Sequence, residues 1–136
     1  MDLTRALDFI RANHRAVLAT TRSDAGVQMS LVAAAVDEQD KIVISTRETA
    51  IKAKNLALRP KATLLVFTDA FYGSWVQVEG PAQLVRLPQA MDGLVAYYRA
   101  VAGEHPDWDE YRHAMTEERR LLIRISVEHA GPDHSG

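Results

Sequence analysis

IVISTRETAIKAKNL, residues 42–56, joins an apolar strand to a helix, and the interpretation of the whole chain starts from this junction. The strand ends in the hydroxyls of Ser45 and Thr46, and Thr49 is the predicted N-cap of the helix. Lys52 then lies at the third helical position, where its charge adds to the free amides and the dipole of the helix start. The segment predicts either a phosphate site or an ordinary capped amphipathic helix.

Length and composition restrict the classes of function. The chain has 136 residues, a net charge of −2 and no cysteine. We therefore expect one domain over residues 1–130 with a flexible tail over 131–136, and no disulfide or thiolate chemistry. A balanced charge disfavours nucleic-acid and membrane attraction, and the first helix does not resemble a signal peptide. A cytoplasmic protein is the expectation.

The apolar pattern predicts six strands and four helices. The strands are expected at 15–21, 27–36, 41–45, 62–68, 73–87 and 120–127, and the helices at 3–13, 49–58, 88–103 and 108–115. Short turns join most strands, so antiparallel pairing is favoured over a parallel sheet. Several strands are apolar on nearly every residue, which predicts a mainly β fold: a small barrel covered by helices or a partner chain. Gly80 and Pro81 predict a bend in the fifth strand.

Side chains that carry covalent chemistry do not form a recognisable pattern. The five histidines lack metal-ligand spacing, and neither a GxSxG nor a GxGxxG motif occurs. Trp75 and Gln77 share one strand face, where they offer a ring and an amide to a heteroaromatic ligand, or else form a core tryptophan beside a half-exposed glutamine. The Arg119–Arg120 pair is either a second anion contact or a solvated turn. This combination suits an enzyme whose bound cofactor performs the chemistry.

Two motifs give the chain a family resemblance. ISTRETAIKAKNL followed by SWVQVEG resembles the flavin-site pattern of the pyridoxamine 5′-phosphate oxidase-like, FMN-binding split β-barrels. Within that superfamily, AVLATTRSDAGVQMS, GEHPDWDEYRHAM and RRLLIRISVEHA are similar to actinobacterial reductases that use the deazaflavin coenzyme F420. The resemblance runs from about Ala16 to Ala130. It implies a six-stranded antiparallel split β-barrel that forms a homodimer, with the cofactor in the cleft between subunits.

The resemblance also implies cofactor-binding positions but no catalytic side chain and no metal. Lys52 matches the lysine that holds the cofactor phosphate. The strand-end positions beside it correspond to Ser45 and Thr46, and its basic-polar continuation to Lys54 and Asn55. The strand that lines the ring system corresponds to Met29, Ser30 and Leu31. Two positions held by glutamine and arginine in the true oxidases are occupied here by Trp75 and Gln77. Ala50 and Ile51 replace the serine and arginine that precede the oxidase lysine, which weakens the expected grip on FMN phosphate.

The implied function is that of an oxidoreductase. It would transfer hydride from reduced coenzyme F420 to an unsaturated small-molecule acceptor. The alternatives are an FMN-binding oxidoreductase of the same fold and a non-catalytic F420 carrier or sensor. Because the coenzyme has a carboxylate-rich tail, Lys52, Lys54, Arg59 and Lys61 are expected to line a cationic groove.

Overall fold

The fold is one curled antiparallel sheet of eight strands with four helices packed around it. The computed structural model describes residues 1–136 throughout. The elements, in chain order, are α1 (Leu3–Ala12), β1 (Arg15–Thr21), β2 (Val27–Ala33), β3 (Ala35–Val36), β4 (Ile42–Arg47), α2 (Ile51–Leu58), β5 (Lys61–Phe67), β6 (Trp75–Val85), α3 (Met91–Ala102), α4 (Trp108–Glu117), β7 (Arg120–Ile125) and β8 (His129–Asp133).

The long strand β6 joins the two halves of the sheet. The strand order is β2-β1-β5-β6-β7-β4-β3, and β8 pairs with β6. β6 pairs with β5 as far as Pro81 and with β7 from Ala82 onward. At Gly80 an added Cβ would lie 1.8 Å from the backbone oxygen of Ser126, so only glycine fits. The bend predicted at residues 80–81 therefore lies where β6 passes from one half to the other.

The predicted mainly β, antiparallel split-barrel class is confirmed, with two differences in the strands. The expected strand 27–36 is interrupted at Ala34, whose N–H donates to the His14 carbonyl at 2.8 Å. The C-terminal segment was expected to be flexible, but residues 129–133 form β8 on the edge of β6. The tail expected over 131–136 therefore includes three residues of a strand, because the β6 edge provides them with hydrogen-bond partners.

Two apolar cores hold the helices to the sheet. The larger fills the barrel interior and includes Ile10 of α1 and Leu56 of α2. The smaller lies between the other face of β4 and β7 and the helices α3 and α4, where Leu94 and Tyr111 are buried. Burial of such side chains contributes roughly 1.5–3 kcal/mol each. No helix has the length and apolar content needed to cross a bilayer.

Candidate functional site

The N-cap of α2 lies one residue later than the sequence predicts. α2 begins at Ile51, and the N-cap is Ala50 rather than Thr49. The Thr49 cap prediction was wrong because the turn after β4 extends to Ala50, which places Lys52 at the second helical position. Ala50 has no side-chain acceptor, and no side chain caps this helix. The first amide N–H groups of α2 are thus left for water or for an anion.

Four cations surround this junction, and we call them the cationic end: Arg47, Lys52, Arg119 and Arg120. Arg47 and Arg120 lie directly opposite each other in the β4–β7 ladder, a placement that is unfavourable for like charges. Oε1 of Glu118 accepts hydrogen bonds from Arg120 at 2.9 Å and lies 3.5 Å from Arg47 Nη2. Lys52 is half-buried and takes part in none of the ion pairs of the structure.

The electrostatics of Lys52 and Glu118 follow from this crowding. Burial, and then the charge of Arg120, lower the pKa of Lys52. The hydrogen bond from Arg120 in turn lowers the pKa of Glu118. One carboxylate therefore serves two arginines while the lysine has no counter-ion. An anion bound at the start of α2 would stabilise the charged form of Lys52.

Ser45 and Thr46 do not act together, because neighbouring residues of a strand face opposite sides. Thr46 is buried and lies opposite Leu121 of the barrel core. Ser45 lies opposite Leu122, on the same sheet face as Arg47 and Arg120. Of the two predicted hydroxyls, only that of Ser45 is on the side of the cationic end.

The three predicted ring-lining residues of β2 also divide between two faces. Met29 and Leu31 point outward and are 66% and 80% exposed. Ser30 lies opposite the buried Leu18 and points inward. Its Oγ is buried and has no hydrogen-bond partner, an unusual state for a hydroxyl in a folded protein. β2 therefore presents an apolar outer surface and one orphaned polar atom on its inner side.

Trp75 and Gln77 lie on the outer face of β6, as predicted for residues two apart. Trp75 is opposite Phe67 and Gln77 is opposite Leu65 in the β5–β6 ladder. Leu65 is in turn opposite Val17, and Val17 is opposite Leu31. Three strand spacings, or about 14 Å, therefore separate Gln77 from Leu31 within one chain. A single chain does not bring the two predicted groups of residues around one ring.

These outward residues form a contiguous apolar surface, which we call the open face: Val17, Met29, Leu31, Leu65, Phe67, Trp75 and Gln77. Val27 at the start of β2 extends it and is 53% exposed. Exposed apolar surface of this extent in a small domain marks an interaction site.

The rest of the predicted groove has a different role from the one expected. Asn55 is buried and donates to Thr20 Oγ1 at 3.0 Å, and its Oδ1 accepts from Arg59 at 3.2 Å. Arg59 Nε also donates to the Thr21 carbonyl at 2.7 Å. Asn55 and Arg59 therefore fix α2 to the end of the barrel, while Lys54 and Lys61 remain exposed. This inward network could not be predicted from the sequence, because α2 has little amphipathic contrast.

Arg120 is the residue that sequence reasoning undervalued. The pattern left the Arg119–Arg120 pair open between an anion contact and a solvated turn. In the structure Arg119 forms the left-handed turn before β7, with φ of 52°, and pairs with Glu48. Arg120 instead begins β7, where it pairs with Glu118, and its charge helps to lower the pKa of Lys52. The position of Arg120 as the first residue of an apolar strand could have favoured the anion contact over the solvated turn, because the sheet fixes the backbone of a residue there.

Two cavities lie away from the cationic end. One of about 820 Å³ is bordered by His14, Arg15, Leu31 and the chain after β5. The other, of about 460 Å³, lies between α3 and the sheet, beside Arg124 and Tyr97. Neither of these two cavities is lined by Lys52.

Comparison with known proteins identifies a family whose pattern this chain matches. The family described as Pyridoxamine 5′-phosphate oxidase matches residues 4–131, nearly the whole chain. This match covers both the open face and the cationic end.

Solved structures share the fold at low sequence identity. A conserved hypothetical protein from Mycobacterium tuberculosis superposes with a TM-score of 0.78 at 23% identity, covering 96% of this chain and 82% of that one. A protein named F420 Reductase gives 0.69 at 18% identity, covering 91% and 94%. A heme binding protein from Mycobacterium smegmatis gives 0.68 at 17% identity, covering 92% of this chain and 52% of its own. Identities this low carry the fold alone.

Proposed function

The chain belongs to the pyridoxamine 5′-phosphate oxidase family, and on that premise we propose that it is an oxidoreductase using the deazaflavin coenzyme F420. Its phosphate binds at the start of α2, and its reduced form delivers hydride to an unsaturated small-molecule acceptor. The neighbour named F420 Reductase makes this cofactor a reasonable choice within the fold. The family membership itself supports the coarser statement, a flavin-type cofactor and redox chemistry.

One observation carries the proposal: Lys52 has no counter-ion although Arg120 lies near it at an uncapped helix start. Glu118 pairs with Arg120 but not with Lys52, so the lysine charge beside Arg120 costs free energy that a bound phosphate would offset. The departure at Ala50 and Ile51 removes the serine and arginine that the oxidase pattern uses for FMN phosphate. Arg120 supplies a second cation from β7 instead.

The residues present also fit the ring of such a cofactor. Met29 and Leu31 offer apolar contact to a planar ring on the exposed side of β2. The orphaned Oγ of Ser30 is buried on the opposite side of the same strand, so it is not part of this contact surface. The ring-binding role of β2 is therefore part of the proposal.

We propose further that the open face is covered by a second copy of the chain. Gln77 and Leu31 are about 14 Å apart in one chain, so a shared site needs them from different subunits. A two-fold related copy pairs the face with itself, as closed dimers do. The expected species is a homodimer of twice 15.1 kDa.

The protein's contribution to catalysis is binding, orientation and exclusion of water. When bound, the deazaflavin supplies a hydride carrier that transfers two electrons at once. Lys52 and Arg120 hold the phosphate end, and the β2 strand fixes the ring relative to it. The partner's open face removes water from the acceptor side. No side chain of this chain needs to form a covalent bond with substrate.

Cofactor choice is tested by titrating the purified protein with coenzyme F420 and with FMN and following the absorption or fluorescence of each. We expect the deazaflavin to bind more tightly. Tighter binding of FMN would overturn the cofactor assignment and establish the FMN-binding oxidoreductase instead.

Turnover separates an enzyme from a carrier or sensor. The reduced coenzyme is mixed with the protein and a panel of unsaturated acceptors, and loss of the reduced spectrum is followed. Protein-dependent oxidation by at least one acceptor is expected. Tight binding with no turnover across the panel would support the non-catalytic carrier.

A further inference from the structure

The split in the barrel begins at one position, where a hydrogen-bonded ladder between strands stops. β3 pairs with β4 in the register Ala35 with Val43 and Val36 with Ile42. The same register, extended backward, would place Ala33 opposite Ser45. That pair does not form, although β2 ends at Ala33 and β4 continues through Ser45. We call the gap between β2 and β4 beyond this point the seam.

A phenol occupies the place of the missing pair. The hydroxyl of Tyr97, from α3, donates to the Ala33 carbonyl at 2.8 Å. The backbone N–H of Ser45 is on the seam side of β4, because the alternate positions of this antiparallel ladder bond to β7, as the Glu48 N–H does to the Arg119 carbonyl. The phenol thus takes the place of one direct backbone hydrogen bond between Ala33 and Ser45, which holds the strands farther apart.

Ala34, the residue after Ala33, forms no backbone hydrogen bond across the seam either. The Ala34 N–H donates to the His14 carbonyl, and the Ala34 carbonyl contacts His14 Nδ1, each at 2.8 Å. Both polar groups of Ala34 are therefore turned toward the start of β1. Tyr97 is left as the side-chain hydroxyl that spans from β2 to β4 at this point.

The phenol is held firmly and stays protonated. Tyr97 follows Leu94 and Val95, which are buried in the smaller core. Burial raises the pKa of Tyr97, while the Ser45 N–H and the Arg120 charge oppose that rise in part. The donor bond to Ala33 therefore persists at neutral pH.

We propose that Tyr97 is a positioning residue that holds the seam open and sets the spacing between the ring strand β2 and the phosphate end of β4. This inference rests on the proposed function, because the spacing matters only to a ligand that contacts both strands. In the same register the next residues beyond the phenol are Leu31 and Arg47, on the two sides of the seam. A cofactor that reaches from the outer side of β2 to Lys52 must match the width that Tyr97 sets.

The test compares Tyr97→Phe with Tyr98→Phe. The control residue is next along the same helix and packs its ring against Trp108 and Tyr111, while its hydroxyl makes no hydrogen bond within the chain. In the ligand-free protein, amide hydrogen exchange at Ser45 should be faster in Tyr97→Phe than in wild type and unchanged in Tyr98→Phe. Equal exchange in both variants would overturn the proposal.

Cofactor titration is the second measurement. Tyr97→Phe should weaken binding of coenzyme F420 by about tenfold, the effect of one lost buried hydrogen bond, and should reduce its preference over FMN. Tyr98→Phe should bind as wild type does. If Lys52→Ala weakens binding and Tyr97→Phe does not, the positioning role fails while the proposed function stands. If wild type binds neither cofactor, the proposed function fails, and hydrogen exchange alone decides whether Tyr97 holds the seam.

Discussion

The open face and the cationic end both carry groups that lack partners within the chain, but the groups are of opposite kinds. The open face has much apolar area and little charge, with Leu31 80% exposed. The cationic end has four positive charges, two carboxylates and a lysine without a partner. An exposed apolar surface is stabilised by contact with another apolar surface, whereas crowded cations are stabilised by an anion. In the proposed function, a second copy of the chain covers the first region and a cofactor phosphate binds at the second.

β6 couples the two regions, so the largest expected effect comes from its crossing point. Gly80→Ala places a Cβ 1.8 Å from the Ser126 backbone oxygen, which has no flexible end to move aside. The free energy of unfolding should fall by more than about 3 kcal/mol, as for other severe packing conflicts. Denaturant unfolding measures this. Gly26→Ala is the matched control, since its nearest neighbour is the end of the Arg22 side chain, and a comparable loss there would show that the crossing is not special.

A charge on the open face should break the proposed dimer and leave the cationic end intact. Leu65→Asp lies in the middle of this face, between Val17 and Gln77 in register. The association free energy should weaken by about 2–4 kcal/mol, the scale of a central interface residue. Sedimentation across a concentration series measures the loss of dimer. Leu58→Asp, on an exposed residue of α2, should not change the sedimentation. A wild-type chain that sediments as a monomer at micromolar concentration would remove the two-subunit cleft.

The structure explains why some of these features were predicted from sequence and others were not. The strand–helix junction at Ile42–Leu56 and the bend at Gly80 and Pro81 are encoded locally, by apolar periodicity and by glycine and proline. The break at Ala34 is not, because it depends on His14 and Tyr97, which are distant in sequence. β8 was missed for the same reason, since its order comes from the edge of β6.

The candidate site was predicted in outline and wrong in detail. Lys52 lies at the helix start, as expected, but the cap moved from Thr49 to Ala50. Asn55 was assigned to the cofactor by resemblance, yet its amide is used inside the barrel by Thr20 and Arg59. Arg120 gained its place only through the pairing of β4 with β7. Long-range pairing decides which polar residues face a ligand, and a single sequence does not contain it explicitly.

Glu118 tests whether the cationic end serves stability or binding. Its pKa is lowered by the hydrogen bond from Arg120, so its folded-state value is below the ordinary value of 4.5. The Glu118–Arg120 pair therefore stabilises the fold fully at pH values above 4.5, and this contribution is lost as the pH falls through the lowered pKa of Glu118 in the folded protein. For a pair that is about one-third exposed, and therefore screened by solvent, we expect at most about 1 kcal/mol.

Glu118→Gln should accordingly change unfolding little and tighten binding of inorganic phosphate or cofactor by about 0.5–1 kcal/mol, because Arg120 is released. Titration with and without the substitution measures it. Glu117→Gln, an exposed neighbour on α4, should leave binding unchanged. Weaker binding in Glu118→Gln would mean that the carboxylate positions Arg120 rather than competing for it.

The smallest effect concerns the outer part of the groove. Lys54 is exposed on α2, and Lys61 on β5, while Arg59 is occupied internally. Coenzyme forms with longer glutamyl tails should bind at least as tightly as short ones, and Lys54→Glu should penalise the long tails most, by less than about 1 kcal/mol because the charges are exposed. Calorimetry with short- and long-tailed coenzyme measures the difference. An equal penalty for all tail lengths would place the tail elsewhere.

The most direct test of the account is the affinity of coenzyme F420 for wild type, Lys52→Ala and Lys41→Ala at two salt concentrations. Lys41 lies at the start of β4, at the opposite end from Lys52, and serves as the charge-matched control. Lys52→Ala should weaken binding by about 1.5–3 kcal/mol and reduce its salt dependence, whereas Lys41→Ala should match wild type. Unchanged affinity and unchanged salt dependence in Lys52→Ala would contradict the phosphate site at the start of α2.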